Sequence, residues 1–167
     1  MLDQVFGILI TYWPFWVGIA VITAFFLLLR MYSGPAAMPY FKRPSLVTKN
    51  ELRFYKSLHK AVLDDFEIFA MVRIADLLRV EKGSGNHRTW LNKILAKHID
   101  FVLCDPKSLE PLVCIELDDA SHQRPDRIER DRFVNDAFDA AELPLLRIPV
   151  EPTYNAREVR ELIDDVL

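Results

Sequence analysis

Residues 98 to 122 read HIDFVLCDPKSLEPLVCIELDDASH. Two apolar, β-branched runs, Ile99 to Cys104 and Leu112 to Asp118, flank a turn carrying Asp105, Pro106, Ser108 and Pro111, which predicts a β-hairpin. If the hairpin is symmetric about Ser108, Asp100 lies opposite Glu116, with Cβ atoms about 5 Å apart. Side chains alternate along a strand, so Asp118 falls on the same face as Glu116, about 7 Å along it. Three carboxylates then converge. Like charges across a hairpin repel, and desolvation beside Val113-Cys114-Ile115 adds to the cost, so structure alone does not account for them. A divalent cation would relieve the repulsion, and oxygen-only donors suit Mg²⁺ or Mn²⁺ held with waters and a substrate phosphate. The alternative is a shifted register that leaves the acids as exposed edge charges.

The flanking chain is read outward from this hairpin. Downstream, Asp126 to Glu142 places Ile128, Phe133, Ala137, Phe138 and Ala141 on one side and charges on the other, an amphipathic helix. A short apolar strand, Leu145 to Val150, and a terminal helix, Arg157 to Val166, follow. Upstream, Thr48-Lys49-Asn50-Glu51 has capping-box spacing and opens a helix with Leu52, Tyr55, Leu58, His59 and Val62 at helical intervals. Phe66 to Val72 reads as a strand. Arg73 to Lys97 reads as two short helices around the Gly83-Ser84-Gly85-Asn86 loop. The order is helix, strand, helical insert, two strands, helix, strand and helix, an α/β class.

Further candidates surround the carboxylates. His122 follows Asp118 by four residues at the start of an Arg-rich helix, where an imidazole can take a proton from water or contact phosphate, or simply cap or lie on the surface. Glu51 has a capping role that accounts for it without chemistry, and a site role beside it. Arg124 and Arg127, nearest the acids, are the expected phosphate contacts. Arg130 and Arg132, interleaved with Asp126, Glu129 and Asp131, read as a solvated, salt-bridged helix face.

The chain has 167 residues, and its first thirty are of a different kind. Val5 to Leu29 is 25 residues without a formal charge, more than the roughly 20 that cross a bilayer as a helix. No basic segment precedes it and it exceeds the apolar core of a signal peptide, so an anchor is favoured over a cleaved leader. Arg30, Lys42 and Arg43 follow the span, which predicts a cytoplasmic C-terminal side. The span holds no charged residue to mark an ion path, and transport is disfavoured. Residues 31 to 47, with Gly34, Pro35, Pro39 and Pro44, read as a tether, which leaves 48 to 167 as one compact domain. The net charge of −3 belongs wholly to residues after 30, since Asp3 and Arg30 cancel, so strong nonspecific binding of polyphosphate is not expected. Cys104 and Cys114, both in apolar runs, read as buried reduced thiols.

Taken together, Glu51-Leu52-Arg53-Phe54-Tyr55, Arg73-Ile74-Ala75-Asp76-Leu77-Leu78, His98-Ile99-Asp100-Phe101-Val102-Leu103-Cys104 and Ile115-Glu116-Leu117-Asp118-Asp119-Ala120-Ser121-His122 resemble the bacterial domain of unknown function 2726, over about residues 45 to 152. This resemblance implies a bacterial protein and, with the anchor, a single-pass inner-membrane location. More distantly the pattern is similar to restriction-endonuclease-like domains of the very-short-patch repair type, whose core of helix, three strands, helix and strand agrees with the order above. By that resemblance Asp100 and Glu116 hold the metal, His122 assists proton transfer, and Asp118 replaces the usual Lys. An acid cannot supply that positive charge, which a second metal held by Asp118, or His122, would have to replace. Two readings follow: a metal-dependent phosphodiesterase acting on nucleic acid at the membrane, or a noncatalytic tethered module that uses a nuclease-like fold to bind.

Overall fold

The computed structural model describes Gly7 and residues 11–32, 37–118 and 125–167, with side chains in the last segment described from residue 129 onward. Two compact units result, residues 1–42 and 43–167. In the first, α1 (Trp13–Tyr32) is a helix of 20 residues with mean hydropathy 1.9, long and apolar enough to cross a membrane. Pro14 falls in its first turn, where a missing N–H leaves no intrahelical bond unmade, so this proline need not kink the span. The Thr23 hydroxyl donates to the Ile19 carbonyl at 2.8 Å, which satisfies the polar group within the helix itself, as an apolar medium demands.

The second unit opens with α2 (Lys49–Val62). Its capping box is complete: the Glu51 N–H donates to Thr48 Oγ1 at 3.3 Å and the Thr48 N–H donates to Glu51 Oε2 at 2.9 Å. The buried face is Phe54, Leu58, Ala61 and Val62, rotated from the expected stripe, and Leu52 and His59 are exposed. Phe54 and Ala61 complete an i, i+4, i+7 stripe with Leu58 that the sequence reading passed over in favour of Leu52 and His59.

The remaining elements are β1 (Glu67–Arg73), α3 (Ile74–Leu77), α4 (His87–Leu95), β2 (His98–Cys104), β3 (Pro111–Asp118), α5 (Pro125–Ala140), β4 (Leu145–Pro149) and α6 (Ala156–Asp164). Their order matches the expected one. The strands form one mixed sheet in the order β1-β2-β3-β4. β2 pairs antiparallel with both β1 and β3, and β4 pairs in parallel with β3 after the crossover through α5. Phe54, Leu58 and Val62 of α2 and Val159 and Ile163 of α6 pack with Phe101, Leu103, Val113 and Ile115. Ile74, Ile94, Val134 and Phe138, from α3, α4 and α5, form a second cluster with Val102, Cys104 and Cys114. The domain is therefore an α/β fold with an apolar cluster on each face of its sheet.

A local switch in this sheet bears on the site. Ala70 pairs with Phe101 and Val72 with Ile99, yet the first pair joins one cluster and the second pair joins the other. Strict alternation would put both pairs on one face. Between them lie Met71, with a left-handed φ of 57°, and Asp100. The kink thus marks the place where Asp100 leaves the core.

Candidate functional site

The β2–β3 ladder pairs Phe101 with Ile115, Val102 with Cys114 and Leu103 with Val113, the register symmetric about Ser108 that the sequence predicts. The irregularity lies near the turn, where Cys104 pairs with Pro111 and the ladder shifts between Leu103 and Cys104. The turn is held by Asp105 Oδ1, which accepts from the Lys107 and Ser108 N–H groups at 2.9 and 2.7 Å. The bulge leaves the three pairs from Leu103–Val113 to Phe101–Ile115 in register.

Asp100 Oδ2 accepts the Leu117 N–H at 2.8 Å, which anchors its carboxylate across the ladder. Glu116 and Asp118 point to one face, and beside them on β4 stands Arg147, the pairing neighbour of Glu116. Its Nη1 is 2.8 Å from Asp118 Oδ1, and its Nη2 is 3.3 Å from Glu116 Oε2 and 4.0 Å from Asp131 Oδ1. Its Nε donates to Asn135 Oδ1 at 3.0 Å. Glu116 is 13% exposed and Arg147 20%. Although these two are close enough to attract, Glu116 Oε2 and Arg147 Nη2 are misaligned for a bond, and each is buried without a hydrogen-bond partner among the described residues.

The electrostatics follow from this crowding. Burial pushes the Glu116 carboxyl up, Arg147 pulls it down, and Asp100, Asp118 and Asp131 add to the rise. Asp100 is likewise raised by burial, against the pull of the Leu117 N–H, with Glu51 and Asp118 adding to the rise. Both acids resist ionisation chiefly because they are buried, and the neighbouring carboxylates add to the effect.

Glu51, at the start of α2, serves its capping bond, and its charge adds to the rise of the Asp100 carboxyl. His122 and Arg124 lie outside the described residues. Arg127 lies in α5, and its side chain is outside them too. One expectation changes: Asp131, assigned to a solvated face, turns toward Arg147 and is 20% exposed. Asp118 has a positively charged partner in Arg147 at 2.8 Å. Arg147, Asp131 and Asn135 were all missed. The available signal was Arg147 itself, a charge inside the apolar strand LLRIP, which needs a partner when buried. Arg73 and Asp76, from the segment that carries the family resemblance, form an exposed bidentate pair with bonds of 2.8 Å at the start of α3, a structural role.

Among the described residues no three His, Cys, Asp or Glu side chains gather closely enough to form a metal cage. Asp118 is committed to Arg147, which argues against its place in the expected ligand set of Asp100, Glu116 and Asp118. Asp100 and Glu116 do fit a hard cation, because Mg²⁺ needs only one or two carboxylates with waters and phosphate, and Glu116 Oε2 is a buried oxygen with no hydrogen bond.

A family model described as "Protein of unknown function (DUF2726)" matches residues 43–167. No curated protein and no solved structure matches the chain.

Proposed function

The chain belongs to the DUF2726 family, and we propose that it is a membrane-anchored, metal-dependent phosphodiesterase acting on nucleic acid through a restriction-endonuclease-like core. The observation that carries this reading is the charge imbalance at the β2–β3–β4 edge: the carboxylates of Glu116, Asp118 and Asp131 surround one guanidinium, with Asp100 nearby and Glu116 Oε2 buried and unbonded. An excess of buried negative charge is costly unless a cation completes it. The element order from α2 through β4, with α5 crossing between parallel β3 and β4, agrees with that core.

In this reading Asp100 and Glu116 hold Mg²⁺ or Mn²⁺, which supplies a Lewis acid and lowers the pKa of bound water. The Leu117 N–H fixes the Asp100 carboxylate through Oδ2 and leaves Oδ1 for the cation. Asp118 and Asn135 hold the Arg147 guanidinium in place, leaving its buried Nη2 to stabilise charge on a phosphoryl oxygen. His122 would exchange the proton, and Arg124 and Arg127 would contact flanking phosphates. In the same reading α1 would anchor the domain at the inner face of the bacterial inner membrane, with Lys42 and Arg43 on the cytoplasmic side.

One observation favours a noncatalytic binding module instead: the Arg147–Asp118 pair partly neutralises the cluster without any metal. Calorimetric titration of Mn²⁺ into the full chain in nonionic detergent separates the two readings. Wild-type binding that disappears in Glu116→Gln, with Mn²⁺-dependent cleavage of labelled single- or double-stranded oligonucleotides by the wild type alone, is the expected result. Absence of cleavage by the folded wild type with metal and either substrate would sink the phosphodiesterase reading.

A further inference from the structure

On the outer side of α5 lies a groove of about 520 Å³ whose lining includes Arg79, Trp90, Lys93, Phe133, Asp136 and Ala137. Its walls combine aromatic faces with cations. Lys93 Nζ stands 4.6 Å from the Trp90 ring centroid and 5.0 Å from that of Phe133, and Lys97 Nζ stands 5.7 Å from Phe133. Trp90 is 45% exposed, which leaves much of its indole open to a ligand. The Lys97 ammonium is pulled down by burial and then by Arg130 and Lys93, so these cations crowd one another. Asp136 is the acid among the lining residues. In a chain whose net charge is −3, such a cluster is a local feature, not part of a general basic surface.

We infer that this groove binds single-stranded nucleic acid, with bases stacked on Trp90 and Phe133 and phosphates on Arg79, Lys93 and Lys97. Charge complementarity carries the choice of occupant. Crowded cations are relieved by a polyanion, and ring faces interleaved with ammonium groups form the stacking platform and electrostatic track that single strands use. An acidic peptide would satisfy the lysines but gives the rings no stacking partner. The groove is continuous with the carboxylate site through one helix: Asp131 and Asn135 reach Arg147 from α5, while Phe133 and Ala137 of the same helix line the groove. A helix with its side chains is only about 10 Å across, so a strand seated in the groove passes close to the acids. The inference rests on the phosphodiesterase reading only for its purpose, since binding here needs no metal.

The test is fluorescence anisotropy of fluorescein-labelled oligothymidylate with the full chain in nonionic detergent, with EDTA present. Wild type and Glu116→Gln are expected to bind alike. Trp90→Ala should weaken binding about tenfold, the scale of one lost base stack, while Trp90→Phe retains most of it. Lys93→Gln with Lys97→Gln should lower the slope of log affinity against log salt by about 1.4, two single-strand phosphate contacts. Thermal unfolding of each variant serves as the fold control. Wild type that ignores oligothymidylate, or that binds an acidic peptide or anionic vesicles in its place, overturns the inference, as does binding unchanged by the groove substitutions. Groove-dependent binding without cleavage under Mn²⁺ would retain this inference and remove the phosphodiesterase reading. Cleavage by groove variants that bind like wild type would do the reverse.

Discussion

At the scale of single residues, Arg147 holds the site together. It is the guanidinium against which Glu116, Asp118 and Asp131 are arranged, and removing it leaves partly buried carboxylates uncompensated. Arg147→Ala is expected to cost on the order of 2 kcal/mol or more, read as a fall in the urea midpoint, with Arg147→Lys recovering part of it. Asp100 behaves oppositely. Its carboxyl is raised above the ordinary range by burial, so between the unfolded and folded pKa values the folded protein holds a proton that the unfolded chain has released. Stability therefore falls as pH rises through that window, and the penalty is fully present above it. Asp100→Asn keeps an acceptor for the Leu117 N–H and removes the charge, so it should raise the urea midpoint at pH 7 and leave it nearly unchanged at about pH 3, below the carboxylate range. Loss of fold in that variant would refute the cluster's electrostatics. Cys114 is buried, with its thiol pushed up to about 12, so mass spectrometry should find it unalkylated by iodoacetamide at pH 8 until the protein is unfolded.

At the scale of elements, short-range rules account for the elements whose ends carry their own chemistry. The capping box of α2 was legible as Thr48 and Glu51, and both bonds form. Thr48→Ala should cost about 1 kcal/mol, measured by chemical denaturation, because it strips an acceptor from the first turn. The hairpin register was legible too, because apolar alternation on β2 and β3 admits one pairing that buries Phe101, Leu103, Val113 and Ile115 together. Which face of α2 packs inward was misjudged at Leu52 and His59, since several stripes on that helix compete and the sheet beneath selects one. Asp131 illustrates the same limit on α5: an i, i+3 pattern of opposite charges looks solvated until a strand places an arginine beneath it.

At the scale of the whole molecule, the anchor and the domain answer to different solvents. The residues 43–167 unit has apolar clusters on both faces of its own sheet, whereas α1 exposes Trp13, Phe15, Val21, Phe26 and Leu27 along its length. A chain shortened to residues 43–167 should unfold cooperatively and move from the membrane fraction to the soluble fraction of a cell lysate, which fractionation and immunoblotting would show. A Phe101→Ala substitution, in the middle of the sheet against Phe54 and Tyr55, should cost about 3 to 5 kcal/mol and bring that unit near its stability limit.

The sequence by itself determined the apolar span, the α/β element order, the cap of α2 and the β2–β3 register symmetric about Ser108. Each of these depends on residues near in sequence or on a pattern of fixed period, and such signals survive without a fold. Only the tertiary structure decided that Arg147 completes the carboxylate cluster and that Trp90, Lys93 and Phe133 share a groove. Those meetings require the crossover that lays β4 beside β3 and the packing of the insert against α5. The residues involved are 29 positions apart in the pair of Asp118 with Arg147 and 43 apart in that of Trp90 with Phe133, distances over which no local period carries information.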